Sequence, residues 1–166
     1  SLRLNAGGSS GSNAPQAGAL VSKGENAFGT LFRVGTYTSF PGNSGANNQS
    51  NYLSFFSFMA TEDNTTVNLS NERVTSNLEF EGSGTGTFPI NKILNRGQSY
   101  VVSIRIDKNT AISDGLIGTL ISSDKPVVVN TGSSNGSFSE GGARDYGIDQ
   151  IVGADKIGNE YIFVKG

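Results

Sequence analysis

The sequence predicts an all-β fold: an antiparallel β-sandwich-like module with long polar loops. Three observations predict it. Gly, Ser and Asn supply 62 of the 166 residues, and they interrupt the chain too often for any apolar stripe of helical period to run three turns. Short β-branched and aromatic runs recur between those interruptions. Turn dipeptides such as Asp114-Gly115 and Asn135-Gly136 separate the runs. A β-propeller-like fragment is the alternative architecture. Disorder is excluded, because Leu, Ile, Val and Phe make up 42 of 166 residues and the net charge is only −2.

The predicted strands follow in order: residues 2–5, 19–22, 30–37, 52–60, 65–69, 77–80, 87–90, 99–106, 116–121, 126–130 and 161–164. Ser103-Ile104-Arg105-Ile106-Asp107 alternates, which places Ile104 and Ile106 on the core face. Tyr52-Leu53-Ser54-Phe55-Phe56-Ser57-Phe58-Met59 is largely aromatic and reads as a central strand. Polar loops are expected at residues 7–18, 41–50, 81–86 and 132–142. A short helix is expected around residues 148–153.

The chain also resembles itself. Gly29-Thr30-Leu31-Phe32-Arg33-Val34-Gly35 is similar to Gly158-Asn159-Glu160-Tyr161-Ile162-Phe163-Val164-Lys165-Gly166, and the leading glycines lie 129 residues apart (158 − 29). That spacing is too long for a propeller blade and suits a sandwich module. The expected organisation is therefore three parts. Residues 1–28 are the tail of a preceding β unit or N-terminal strands with a Gly/Ser loop. Residues 29–157 are the module. Residues 158–166 are the first strand of a following unit, or a closing strand.

Composition excludes several chemistries. With no His there is no Ser-His-Asp triad, so Gly7-Gly8-Ser9-Ser10-Gly11 reads as a flexible loop rather than a nucleophile elbow. With neither His nor Cys, a metal would be a hard cation such as calcium on oxygen ligands. Asp107-Lys108-Asn109 with Asp114-Gly115, Glu62-Asp63-Asn64, and the set Glu140, Asp145 and Asp149 are the oxygen-rich candidates. None has EF-hand spacing, so they read as Asx turns and solvated charges, and no cofactor is expected. Gly82-Ser83-Gly84-Thr85-Gly86 has no following lysine and reads as a hairpin loop rather than a phosphate cradle. A pI near 5.1 argues against a nucleic-acid surface. No apolar run approaches the roughly 20 residues of a membrane span. The chain opens on Ser1, as a mature or excised piece of something longer would.

Four segments in order resemble one family. They are Met59-Ala60-Thr61-Glu62-Asp63-Asn64-Thr65-Thr66-Val67, Leu94-Asn95-Arg96-Gly97-Gln98-Ser99-Tyr100-Val101-Val102, Gly118-Thr119-Leu120-Ile121-Ser122-Ser123-Asp124-Lys125-Pro126-Val127-Val128-Val129, and Gly158-Asn159-Glu160-Tyr161. Together they resemble the IgGFc-binding-type domain, which occurs in large surface proteins of Bacteroidota, including gliding-motility-associated ones. The resemblance implies an extracellular, non-catalytic, adhesin-like module at the bacterial cell surface, associated with the outer membrane and exported by type IX secretion. It carries over no catalytic residue, and antibody binding belongs to the animal namesake. Partners implied are neighbouring repeats of the same chain and a surface glycan or protein receptor.

The motif residues themselves read as scaffold: Asn95-Arg96-Gly97 is a turn, and Pro126 sits where a strand begins. Contact residues are expected instead in the polar loops, where an aromatic among Asn and Ser can stack on a sugar or anchor a protein. Phe40, Asn43, Asn47, Asn48 and Phe138 are those candidates. A carbohydrate-binding module, calcium-assisted or not, is the alternative function.

Overall fold

The computed structural model describes residues 2–6, 16–35, 53–74, 78–80, 85–105, 116–136 and 145–158. Among the described residues eleven strands form, and each of their pairings is antiparallel. They are β1 (Leu2–Ala6), β2 (Gln16–Leu20), β3 (Gly29–Arg33), β4 (Leu53–Ala60), β5 (Thr65–Ser70), β6 (Leu78–Phe80), β7 (Thr85–Gly86), β8 (Ile90–Leu94), β9 (Ser99–Arg105), β10 (Leu120–Gly136) and β11 (Asp145–Ile151). The class is all-β, as composition predicts. Two 3-10 turns, Gly24–Ala27 and Ala154–Lys156, are the helical elements among the described residues.

β10 is the spine. Nine strands form one sheet in the order β7-β6-β9-β4-β10-β5-β8, and β3 and β11 also pair with β10. Its first part, from Leu120 to Ser122, bonds β3 on one edge and β5 on the other. Its second part, from Val129 to Ser133, bonds β11 and β4. Val127 stands between Gly29 of β3 and Ala60 of β4, so β3 and β11 share one edge while β5 and β4 share the other. The register breaks between Ser122 and Val127. A strand that changes partners across such a break lets one sheet fold over on itself, as strands do at the corners of sandwiches and barrels. The result is a single sheet nearly closed into a barrel.

Both parts bury their inner faces in one core. Phe56 and Phe58 of β4, Val102 and Ile104 of β9, and Val127 and Val129 of β10 come from one part. Phe32, Val67, Leu69 and Ile121 come from the other. Alternation explains the choice, since β5 is buried at Thr65, Val67 and Leu69 and open at Asn68 and Ser70. Each large apolar side chain so buried contributes about 1.5–3 kcal/mol. At the far end of β3 the Thr131 hydroxyl donates to the Gly35 carbonyl at 2.6 Å, holding the chain over the inner face of β10.

Several expectations hold. β4 lies centrally between β9 and β10, and Ile104 is buried; Ile106 lies outside the described residues. Others are corrected. The expected helix at 148–153 is strand β11. Ile148-Asp149-Gln150-Ile151 is too short to nucleate a helix, and the open edge of β10 supplies every backbone partner it needs. The expected strands 116–121 and 126–130 are not separate. Residues 116–118 form a turn in which Gly118 takes φ 83, and β10 then runs 17 residues through the Ser-Asp-Lys-Pro segment. Pro126 is therefore interior to a strand, tolerated because it sits in the register break where the ladder asks for no N–H. Ile90–Leu94 is a strand where the sequence pointed only to its first residue.

Candidate functional site

The described strands give the module two unlike ends. One end is a corner built from three turns: residues 61–64 joining β4 to β5, residues 95–98 joining β8 to β9, and the bend of β10 at residues 123–126. Three of the four family-like segments meet here, although the first and third turns stand 62 residues apart.

Backbone conformation fits the residue types. Asn64 adopts φ 50 and Gly97 φ 79. Asn is among the few side chains that enter that region readily, and Gly enters it without strain. Nothing lies within 4 Å of a Cβ built on Gly97. Gly97→Ala therefore isolates the dihedral term, and it lowers stability by about 1–2 kcal/mol in a denaturant titration.

Hydrogen bonds then tie the turns together. Ala60 and Gln98 close the β4–β9 end: the Ala60 N–H donates to the Gln98 carbonyl at 3.0 Å and the Gly97 N–H to the Ala60 carbonyl at 2.9 Å. The Asp63 carboxylate accepts the Arg96 N–H at 3.0 Å, and the Asn95 side-chain carbonyl accepts the Asn64 N–H at 3.2 Å. Gln98 Oε1 accepts the Asn95 N–H at 2.7 Å. The Thr61 hydroxyl donates to the Pro126 carbonyl at 2.6 Å. The Lys125 ammonium donates to the Asp63 carbonyl.

Asp124 has a further task. The ladder between β5 and β10 ends at Val67 and Ser123, so Thr66 has no backbone acceptor across the bend. The Asp124 carboxylate takes that N–H at 2.8 Å. Asp124→Ala removes a charge-assisted bond at an exposed position, and it costs about 1 kcal/mol in the same titration. Asp124→Asn, which keeps an acceptor, recovers part of that loss.

Chemically this corner is a clasp. Its carboxylates and amides already hold backbone groups, and each bond contributes about 0.5–1.5 kcal/mol. Among the described residues no three or more acidic, His or Cys side chains gather as a metal set. The Glu62-Asp63-Asn64 candidate is thus a turn whose Asp63 oxygen is engaged by Arg96. Asp149, from another candidate set, pairs with the Lys23 ammonium at 2.7 Å.

The other end is where β4 and β11 begin and β9 and β10 finish. β9 finishes at Arg105 opposite Leu53, where β4 starts. β10 finishes at Gly136 opposite Asp145, where β11 starts, and Ser133 stands beside Ser54. In sequence, residues 36–52 precede β4, residues 106–115 follow β9 and residues 137–144 lie between β10 and β11. The candidates Phe40, Asn43, Asn47, Asn48 and Phe138 belong to these connections and lie outside the described residues, as do Asp107, Asp114 and Glu140. Sequence reasoning missed the clasp as a unit. Its residue types were legible as turns, but their meeting depends on the bend in β10, which no local pattern encodes.

The family model described as IgGFc binding protein matches residues 18–166, from within β2 through all three turns of the clasp. The chain belongs to this family. No curated protein and no solved structure matches it. IgGFc-binding-type domains are extracellular binding modules not known as catalytic. Among the described residues no helix is long and apolar enough to cross a membrane.

Proposed function

We propose that this IgGFc-binding-type domain is a non-catalytic adhesive module of a long bacterial surface protein, of the kind used in surface attachment or gliding. Its binding face is the loop end. The observation that carries this reading is the separation of the two ends. The family-like turns hold one another and the β10 bend, while β4 begins and β9 and β10 finish at the opposite end of the same three strands. A rigid sheet whose strands are joined by long polar segments suits recognition of a protein or glycan partner. Within that face Phe40 and Phe138 are the proposed anchors, and Asn43, Asn47 and Asn48 the adaptable hydrogen-bonding groups around them. Neighbouring units of the same chain space the module away from the cell.

The test is attachment of cells carrying the surface protein with residues 36–52 and 137–144 replaced by Gly-Ser linkers. Attachment is expected to fall while the melting temperature of the isolated chain stays within about 3 °C, the shift of roughly 1 kcal/mol. Unchanged attachment would remove the loop end as the binding face. A glycan array with and without chelator separates the partners. Chelator-sensitive glycan binding favours the carbohydrate reading, and a blank array favours a protein receptor. No binding to antibody Fc fragments is expected.

A further inference from the structure

We infer that the N-terminal hairpin β1–β2 is the closing hairpin of a preceding unit of this same fold, and that its seat on β11 is the junction between successive units. The inference rests on the tandem reading above and adds to it the register and the contact.

Register is the first observation. β1 and β2 pair Leu2 with Leu20, Arg3 with Ala19 and Leu4 with Gly18. Adding 129 to each number gives Thr131 with Asp149, Gly132 with Ile148 and Ser133 with Gly147, and those are pairs that β10 and β11 make. These pairs share one register, and a hairpin slipped by one residue would turn every side chain to the other face; the last pair departs from it, since Ala6 pairs with Gln16 whereas Asp145 pairs with Gly136 across a bulge.

The elements that follow repeat as well. β2 begins at Gln16 and β11 at Asp145, again 129 apart. The 3-10 turns after them end at Ala27 and Lys156, also 129 apart. Phe28 and Ile157 then take the same extended conformation, φ −70 and ψ 133 against φ −77 and ψ 129. Each donates its N–H three residues back, to Glu25 at 3.0 Å and to Ala154 at 3.3 Å. Glycines follow at 29 and 158, where the sequence resemblance starts.

The surroundings of the two hairpins differ in an informative way. β10–β11 is completed by β4 on the far edge of β10. β1–β2 is a separate two-stranded sheet with no third strand among the described residues. A two-stranded hairpin alone is marginal in water, and the missing neighbour is the counterpart of β4 from the preceding unit. The two hairpins also touch. The Lys23 N–H donates to Gln150 Oε1 at 2.5 Å, and its ammonium reaches the Asp149 carboxylate at 2.7 Å and the Gln150 carbonyl. Gln150 is 8% exposed. The segment that follows β2 thus seats the hairpin on β11 through Lys23, whose counterpart 129 residues on is Val152, so this junction is assigned to the present pair of hairpins alone.

Two measurements test this. In the first, residues 24–129 are fused ahead of Ser1, which supplies the proposed preceding unit, and amide hydrogen exchange is followed in β1 and β2. Exchange there is expected to slow by roughly tenfold or more relative to the present chain, because the hairpin gains its third strand. Unchanged exchange in a fusion whose added sheet is itself protected would overturn the repeat identity of the hairpin. In the second, Lys23→Glu is introduced into the present chain. Exchange in β1–β2 is expected to quicken by roughly tenfold, with the main sheet unaffected and Asp149→Lys restoring protection. No change on Lys23→Glu would overturn the junction alone. The loop-end binding reading is independent of both results, since both are read from exchange in β1–β2 and neither alters residues 36–52 or 137–144 of the present chain.

Discussion

Replacing Phe58 with Ala lowers the unfolding free energy by about 3–5 kcal/mol, the range expected for truncating a fully buried aromatic. Phe58 is 1% exposed and stands between Val129 of β10 and Tyr100 of β9. Its ring lies 6.4 Å from Phe56 and 5.9 Å from Tyr100, so truncation removes aromatic contacts from two neighbours besides leaving a cavity. Val129 and Ala60 cannot close that space, because their backbones are fixed in the ladder between β4 and β10. In a thermal scan followed by circular dichroism the midpoint is expected to fall by roughly 6–20 °C. Phe55→Ala serves as the control. Phe55 is half-buried on the opposite face of the same strand, and its loss is expected to be less than half as large. Equal losses at both positions would show that the core does not lie on the face assigned to it.

That face was legible in the sequence, and the reason is local. The aromatic run at 53–59 and the alternation at 103–105 state a strand and its buried side within a few residues. Where the reading failed, the deciding partner was distant. Ser123-Asp124-Lys125-Pro126 carries every local sign of a turn, yet β10 passes through it. Thr66 borrows the Asp124 carboxylate, and Thr61 holds the Pro126 carbonyl, so β4 and β5 secure the bend from outside. Residues 148–151 failed in the same way: their short apolar pattern is neutral between helix and strand, and the edge of β10 decides. The clasp was legible residue by residue as turns, but Asp63 meets Arg96 only because β8–β9 and β4–β5 share one corner. The 129-residue offset between Gly29 and Gly158 also separates the β1–β2 pairs from three of the β10–β11 pairs.

Gly132→Ala is expected to destabilise the protein by about 3 kcal/mol, near the top of the range for inserting one methyl into a closed space. A Cβ built on Gly132 would lie 2.1 Å from the Gly147 carbonyl oxygen and 2.9 Å from the Phe55 ring. The ring could swing away, but the carbonyl could not. Gly147 is paired with Ser133 and Ile148 with Gly132, so β11 can retreat only by giving up those rungs. The damage should therefore localise first. Hydrogen exchange across β11 is expected to quicken in Gly132→Ala at temperatures where β4 and β9 remain protected. Gly97→Ala, whose strain sits in a turn at the clasp end, offers the contrast, because it leaves β11 paired while lowering global stability. The effect should also reach the N-terminal hairpin. Asp149 and Gln150 hold Lys23 from β11, so a β11 that has left the sheet releases β1–β2 with it. Exchange in β1–β2 rising together with that in β11 would place both hairpins in one opening unit. A hairpin that stayed protected after β11 opened would mean that the Lys23 contacts are not what seats it.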